Sequence, residues 1–403
     1  MLYQAYETHC EILGPLRALA GAAAKLDVAS EWLSSPIPRH LNAAYELIAR
    51  SVLTHERPHF SIGPVRVGDR DVLLRELAAD VTPFGTLLHF QKDVDTPQPQ
   101  VLLVAPLSGH FATLLRATVR TLLPEHDVFI TDWHNARDIS LEHGEFGFDQ
   151  YVGHLIRFLE FLGPETHVIA ICQPCVAVLA AVAIMAESGN TAQPRSMTLM
   201  AGPIDARVNP TRVNKLATSR PIEWFEQCLI ATVPARYGGA SRRVYPGFVQ
   251  LIAFMSMNID RHAKAHRDLY RHMVDADHEK AKAIKAFYDE YFAVLDLTAK
   301  FYLETVRLVF QDHALARGKL QWHGQQVDPR AIQRTMLLTV EGERDDICGV
   351  GQTLAAHDLA SSLRPYMKRH HLQAGVGHYG VFSGNRWSSQ IYPIVKNTIL
   401  ASS

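Results

Sequence analysis

Two cysteines separated by two residues lie in the sequence VIAICQPCVAVLAAVA, which spans residues 168–183. Cys172 ends a run of β-branched residues and Cys175 begins an alanine-rich run, a pattern typical of a buried strand followed by a buried helix. A cysteine at such a turn stands above the sheet, and the amino terminus of the following helix stabilises its thiolate. We therefore predict that Cys172 is a nucleophile for acyl transfer.

Other interpretations of this segment are weaker. A Cys-x-Pro-Cys pair resembles a thioredoxin-type redox motif, but it sits mid-chain in a long sheet pattern. A structural zinc site would need a second pair of ligands at suitable spacing, which is lacking. A membrane span would place Gln173 and Pro174 in lipid, where they are a poor choice. Cys175 is expected to be a small core residue.

A cysteine nucleophile at a strand-to-helix turn needs an acid and a histidine as partners. The acid is expected after a late strand and the histidine after the last strand, in the order nucleophile, acid, histidine. The strand pattern TMLLTV runs into EGERDDICG, which offers Asp345 and its neighbour Asp346. The pattern HHLQAG runs into VGHYGVFSG, which offers His378 between glycines. We predict Asp345 as the acid, although spacing alone barely separates it from Asp346, and His378 as the base.

Acyl transfer also needs N–H donors for the developing oxyanion. The N–H of Gln173 follows the nucleophile, and the loop APLSGHF supplies a second donor, for which Ser108 is the best candidate. The alternative for this loop is an ordinary turn. His110 in the same loop is a possible base, but the chain order favours His378.

The remaining sequence predicts the elements that position these residues. Short apolar runs at 101–106, 127–133, 167–171, 196–202, 335–342 and 370–375 alternate with helical patterns, which indicates a mostly parallel sheet covered by helices on both faces. Patterns of period two before them, from residue 58 onward, predict an antiparallel entrance to the sheet.

Two segments fall outside this alternation. Helical patterns at 16–33 and 42–53, separated by SSPIPRH, predict an amphipathic N-terminal segment. A long stretch without comparable strands, dense in aromatic residues, predicts a large helical insertion. We divide the chain into an N-terminal helical segment (1–57), a first core part (58–205), a helical cap insertion (206–332) and a second core part (333–403).

Composition excludes several classes of function. The chain of 403 residues has 40 Lys and Arg against 41 Asp and Glu, so it lacks the basic field that holds nucleic acid. Its five cysteines are few and scattered, which argues against a disulfide framework, and no secretory signal is visible, so we expect a cytoplasmic protein. His262 and His266 lie four residues apart, but neighbouring Arg and Lys oppose a cation; we expect no metal, nucleotide or other cofactor.

The runs HVIAICQPCVAVLAAVAIM, VLLVAPLSGHF, LLTVEGERDDICGVGQT and GVGHYGVFSGNRW together resemble the intracellular polyhydroxybutyrate (PHB) depolymerases over nearly the whole chain. This resemblance implies an α/β-hydrolase fold and a triad of Cys172, Asp345 and His378 that cleaves a storage polyester. It also implies association with polymer granules. Cys175 stands where the family more often has a small residue without a thiol.

With this substrate in mind, the aromatic insertion is expected to cover the nucleophile and line a channel for an uncharged aliphatic polyester. Trp133 and Trp387 are candidate substrate-binding residues. Two rival functions stay open: a polyester synthase-like acyltransferase, whose elbow sequence is Gly-x-Cys-x-Gly rather than AICQP, and a granule-binding protein without catalytic activity.

Overall fold

The computed structural model of the chain describes residues 2–26, 36–94 and 96–403. Strands in these ranges are β1 (Val65–Val67), β2 (Arg70–Val72), β3 (Leu74–Val81), β4 (Gly85–Lys92), β5 (Gln100–Val104), β6 (Asp127–Trp133), β7 (Thr166–Ile171), β8 (Ser196–Met200), β9 (Ala231–Thr232), β10 (Arg243–Tyr245), β11 (Leu297–Thr298), β12 (Gln321–Trp322), β13 (Gln325–Gln326), β14 (Met336–Gly342) and β15 (Lys368–Gln373).

The helices of the described ranges surround these strands. They are α1 (Leu2–Leu26), α2 (Pro36–Arg50), α3 (Arg116–Leu122), α4 (Phe148–Leu162), α5 (Cys175–Glu187), α6 (Arg212–Thr218), α7 (Ile222–Leu229), α8 (Gly247–Met257), α9 (Ile259–Val274), α10 (His278–Tyr291), α11 (Ala299–Thr305), α12 (Ala356–Leu359), α13 (Gly384–Arg386) and α14 (Tyr392–Ser402). Short 3-10 helices lie at 112–115, 136–138, 141–143, 329–331, 365–367 and 378–381, and π-helical turns at 306–311 and 387–391.

Eight strands form the central sheet, in the order β15-β14-β8-β7-β5-β6-β4-β3. The pairs from β6 to β15 are parallel, whereas β4 runs antiparallel to both of its neighbours, β3 and β6. This order, with one reversed strand near the amino-terminal edge, is that of the α/β-hydrolase fold. The predicted fold class and the predicted antiparallel entrance to the sheet are both confirmed.

The strands are apolar because both faces of the sheet are buried. Along β5, Leu102 and Val104 pack into the core on one face, and Val101 and Leu103 pack into the core on the other. Helices α4 and α5 cover the first face, and α3 and α14 cover the second. A parallel sheet with two covered faces has its loops, rather than its faces, free for chemistry.

The apolar segment after Cys172 forms the buried helix α5 rather than part of a membrane span. Most of its side chains are buried, from Cys175 through Ala183. None of the helices in the described part of the chain is long and apolar enough to cross a membrane.

The insertion between β8 and β14 is less uniformly helical than expected. It contains α6 to α11, but β9, β10 and β11 form a small antiparallel sheet within it. A proline and a glycine pair in VPARYGG interrupt the helical pattern between β9 and β10. This segment returns as a hairpin, with Val233 donating its N–H to the Arg242 carbonyl. The prediction of helix across this segment was wrong, and the domain boundaries stay a proposal.

The N-terminal segment forms two helices that pack against each other. Helix α1 begins at Leu2, within the predicted helical segment, and continues through Gly14 and Pro15. Helix α2 begins at Pro36, inside the stretch predicted as a break, because proline is well tolerated in the first helical turn. The predicted helix at residues 27–33 lies outside the described residues.

Candidate active site

The turn between β7 and α5 holds Cys172 in a left-handed backbone conformation. Its φ is 67°, which is unfavourable for a residue with a side chain and persists only when its surroundings fix it. Two hydrogen bonds do so: the Cys172 N–H donates to the Met200 carbonyl at 2.8 Å, and the Cys175 N–H donates to the Cys172 carbonyl at 3.2 Å. The turn therefore has the form of a nucleophile elbow, with its thiol above the end of the sheet.

The close packing of this elbow depends on Gly202, just beyond the end of β8. A Cβ at Gly202 would lie 2.2 Å from the Cβ of Cys175 and 2.9 Å from the Cys172 carbonyl oxygen. Elbows of this fold usually have glycines on either side of the nucleophile, where this chain has Ala170 and Pro174. The space that those glycines would provide comes instead from a glycine that follows the neighbouring strand.

Cys175 is a structural residue of this elbow. Its thiol is buried and lies 3.3 Å from the Ala170 carbonyl, to which it donates a hydrogen bond. Burial, followed by the nearby Cys172 sulfur, raises the pKa of the Cys175 thiol well above its ordinary value. A protonated, enclosed thiol is a poor redox partner, and both cysteines are free in the structure.

Asp345 lies in the loop after β14, and its two carboxylate oxygens have different partners. Oδ1 accepts the backbone N–H groups of Ile347 at 2.9 Å and Cys348 at 2.8 Å. These bonds orient the carboxylate, and Oδ2 lies 2.8 Å from Nδ1 of His378. The neighbouring Asp346 is exposed and instead accepts a hydrogen bond from Asn258. Geometry therefore distinguishes the two aspartates that spacing barely separated.

His378 lies at the start of a 3-10 helix after β15, with Asp345 on one side and Cys172 on the other. Burial opposes protonation of the ring, but attraction by Asp345 and Cys172 outweighs it, so the pKa of His378 is raised well above its ordinary value. The loops that carry Asp345 and His378 are joined by a backbone hydrogen bond from Arg344 to Val376 at 2.9 Å. The structure thus brings together all three residues of the predicted triad.

The predicted oxyanion donors, Ser108 and Gln173, lie on the same cavity as Cys172. In the described part of the chain neither of their backbone N–H groups has a hydrogen-bond partner. The Leu107 N–H, which the sequence did not suggest, points toward the Gln173 side chain, with a nitrogen–oxygen distance of 3.4 Å. The Gln173 side chain therefore links the elbow to the loop after β5.

A cavity of about 280 Å³, which we call the main chamber, adjoins Cys172 and His378. Its walls are mostly apolar and come from the core loops and the insertion, including Phe225, Phe254 and Phe301. His110 also lines it, but burial lowers the pKa of this histidine to about 4, and its ring stacks on Tyr291 with centroids 5.0 Å apart. A neutral, stacked His110 is poorly suited to the role of base.

The two tryptophans do not line the main chamber. Trp133 is buried in the core and donates its indole N–H to the Ala105 carbonyl at 3.0 Å. Trp387 is fully buried in the core on the other face of the sheet. Their positions do not support the expected substrate-binding role. Sequence reasoning also missed Tyr379, which lines the chamber; its place beside His378 was the available signal.

Two histidines of α9, His262 and His266, have aromatic partners. His262 Nδ1 lies 2.9 Å from the Tyr288 hydroxyl, and the His266 ring lies 4.3 Å from the Tyr288 ring, centroid to centroid. Among the described residues, no group of three or more His, Cys, Asp or Glu side chains could hold a metal ion.

Comparison with known proteins places this site in context. A family model described as PHB de-polymerase C-terminus matches residues 201–403, which include the candidate acid and base but not Cys172. No curated protein sequence matches the chain.

A search of solved structures finds several to which the chain is similar. DcsB, solved with a substrate analogue, has 12% identity and a TM-score of 0.47, with 83% of this chain and 100% of DcsB covered. The 2-hydroxy-6-oxo-6-phenylhexa-2,4-dienoate hydrolase of Rhodococcus sp. strain RHA1 has 13% identity and a TM-score of 0.41, with 82% of this chain and 99% of the hydrolase covered. A structure reported with carboxylesterases of Nitrososphaera gargenis has 11% identity and a TM-score of 0.41, with 81% of this chain and 98% of that structure covered. The fold assignment rests on strand order.

We expect Gly202→Ala to destabilise the protein, because the new Cβ would overlap with Cys175. Overpacking of this kind costs about 1–3 kcal/mol. The urea midpoint of unfolding measures this loss of stability. Gly153→Ala is the matched control, since a Cβ there meets nothing within 4 Å and alanine favours the interior of α4. Equal midpoints for Gly202→Ala and the parent protein would contradict the packing described for the elbow.

Asp345→Asn is expected to slow alkylation of Cys172 by iodoacetamide at neutral pH by about tenfold. Loss of the carboxylate weakens protonation of His378 and with it the thiolate that reacts. Peptide mass spectrometry that localises the modified cysteine gives the rate. Asp346→Asn is the control and should react like the parent; if both variants slow equally, the two aspartates are not distinguished as described.

The raised pKa of His378 predicts a pH-dependent contribution to stability. Protonation is favoured in the folded state, so the contribution is complete below about pH 6.5, the ordinary pKa of histidine, and disappears as pH rises through the higher folded value. The loss of unfolding free energy in His378→Gln should therefore be larger at acidic than at alkaline pH. Urea midpoints across this range test it, with the exposed His143→Gln as control; a difference that grows with pH would be inconsistent.

Proposed function

The chain belongs to the PHB de-polymerase C-terminus family, and from this premise we propose that it hydrolyses the ester bonds of polyhydroxybutyrate through Cys172, His378 and Asp345. The observation that carries the proposal is the meeting of these three side chains, from three separate loops, beside an apolar chamber. Family membership and the hydrolase fold support ester hydrolysis in general, and this arrangement suggests how it proceeds.

In the first step the Cys172 sulfur attacks the carbonyl carbon of an ester. A carbon–sulfur bond forms, the carbonyl oxygen takes negative charge, and the N–H groups of Gln173 and Ser108 stabilise it. His378 holds the thiol proton and delivers it to the leaving alcohol oxygen as the carbon–oxygen bond breaks. The products are a thioester on Cys172 and a shorter chain with a hydroxyl end.

In the second step water attacks the thioester. His378 takes a proton from the water, the new carboxyl group forms, and the sulfur leaves and regains its proton. Asp345 holds the imidazole in the orientation that both steps need. Repetition of the two steps releases hydroxybutyrate and its short oligomers.

The main chamber suits an uncharged aliphatic polyester. Its lining is dominated by side chains such as Leu216, Phe254 and Phe301, which offer contact without polar competition for the ester groups. Enclosure of the reacting carbonyl also strengthens the oxyanion hydrogen bonds, because water is excluded.

Association with the surface of storage granules is part of the proposal. Helix α1 exposes Ile12, Leu16 and Leu19 on one face, and α2 exposes Leu41 and Tyr45. These two adjacent helices thus present apolar side chains to their surroundings, a feature that suits a protein working at the surface of an insoluble polymer.

The test is release of hydroxybutyrate from amorphous PHB granules by the purified protein and by Cys172→Ala. We expect steady release from the parent protein and none above the buffer blank from the variant, because the nucleophile is lost. Cys228→Ala, which changes an exposed cysteine, is the matched control and should retain activity.

Granule co-sedimentation in the same samples separates the rival functions. Binding without release by the parent protein would favour a granule-binding protein. Full release by Cys172→Ala would exclude Cys172 as the nucleophile, and incorporation of hydroxybutyryl groups into longer chains would favour an acyltransferase.

A further inference from the structure

A second cavity, which we call the side chamber, lies next to the main chamber and has a volume of about 310 Å³. It is enclosed by α9, α10 and the loops after β14 and β15. Four residues line both chambers: Phe254, Met257, Ile347 and Tyr379. The two spaces therefore meet beside the triad, with Tyr379 as part of the wall between them.

The side chamber, unlike the main chamber, has an arginine in its lining. Arg261, in the first turn of α9, lines the side chamber and is exposed to solvent. The other titratable base in the lining, His262, has its pKa lowered by burial and then by Arg261. No carboxylate in the described part of the chain forms an ion pair with Arg261. The lining thus offers one positive charge for an anionic group.

Aromatic rings of α10 connect the lining of the side chamber to the triad. Phe287 stacks on Tyr291 with centroids 5.3 Å apart and meets Tyr379 edge-on at 6.1 Å, while the Tyr379 ring lies 5.9 Å from the His378 ring. Burial raises the pKa of the Tyr288, Tyr291 and Tyr379 phenols, and the charge of Arg261 opposes that rise in each case. Arg261 and these three tyrosines line the same chamber.

We infer that the side chamber holds the alcohol side of the scissile ester, and that Arg261 binds the free carboxylate at the end of that fragment. The inference rests on the proposed ester hydrolysis. The preferred substrates are then short hydroxyacid oligomers, or chain ends, that carry a free carboxylate. Cleavage therefore proceeds from the carboxyl end.

The direction of the ester bond decides which side of the substrate lies here. His378 must protonate the leaving alcohol oxygen, so the alcohol side lies toward His378 and its neighbour Tyr379. In a polyester of hydroxyacids, the unit that contributes this oxygen continues toward the carboxyl terminus of the chain. A volume of about 310 Å³ is at the lower end for small-molecule pockets, which suits a short fragment ending in a carboxylate near Arg261.

The experiment compares the linear dimer of hydroxybutyrate as the free acid with the same dimer as its methyl ester. Chromatography follows cleavage of the inner ester bond and gives kcat and KM. We expect the parent protein to prefer the free acid in kcat/KM by about tenfold, the value of one charge-assisted hydrogen bond at a partly exposed site. The preference should reside mainly in KM, because the carboxylate is bound equally before and during reaction.

Variants of α9 isolate the charge. Arg261→Met should lose the preference by weakening use of the free acid alone, and Arg261→Lys should keep part of it. Arg267→Met, which removes an exposed arginine of the same helix that does not line the side chamber, is the matched control and should retain the full preference.

Three outcomes would overturn the inference. If the parent protein cleaves both dimers equally well, or if Arg261→Met lowers cleavage of both by the same factor, Arg261 does not read the carboxylate. If the parent protein cleaves neither dimer nor releases hydroxybutyrate from granules, the proposed function fails and this inference fails with it. Cleavage of both dimers thus distinguishes failure of the side-chamber assignment from failure of the proposed function.

Discussion

The left-handed turn at Cys172 is the constraint from which the geometry of this site follows. A cysteine has no intrinsic preference for a φ of 67°, so the conformation exists only because the surrounding sheet enforces it. Cys172 follows the last residue of β7, and α5 begins three residues later. The N–H of Cys172 donates a hydrogen bond to the Met200 carbonyl at the end of β8. Absence of a side chain at Gly202 allows this approach, so the position of the thiol depends on two neighbouring strands as well as on its own turn.

The acid and base reach this thiol because parallel strands end at one edge. Strands β14 and β15 are neighbours in the sheet, and the loops that follow them continue side by side, joined through Arg344 and Val376. Asp345 uses one oxygen to fix its own loop and the other to orient His378, so local and long-range order depend on the same carboxylate. The charge of His378 is then stabilised by the groups that position it.

Sequence patterns predicted the parts of this arrangement that depend on local order. The strands of the parallel sheet were predictable because two covered faces demand continuous apolar runs, and the order of Cys172, Asp345 and His378 followed from the order of those strands. The role of Gly202 was not predictable, because it arises between strands that are adjacent only in the folded sheet. The burial of Trp133 and Trp387 was also not predictable, because an aromatic residue near a motif fills the core as readily as it lines a cavity.

The insertion was the least predictable region, because its short strands and its packing are fixed by contacts with the core rather than by periodicity. Asp296, fully buried between α10 and β11, illustrates this. Its Oδ1 accepts the N–H of Gly247 at the start of α8, and its backbone N–H donates to Asn135, which follows β6. Burial, opposed by the Gly247 hydrogen bond, raises the pKa of Asp296 to about 7.

Tyr3 of α1 donates a hydrogen bond to the other Asp296 oxygen, so Asp296, through its carboxyl group and its backbone N–H, links the N-terminal helix, the insertion and the loop after β6. Helix α8, which begins at this junction, carries Phe254 and Met257, two residues common to both chambers. The contacts of Asp296 with Gly247 and Asn135 thereby fix the position of α8, and with it part of the chamber walls, relative to the core that carries the nucleophile. An insertion held by a few buried polar contacts can therefore line two chambers, one of them with an arginine in its wall, and hold both beside one thiol.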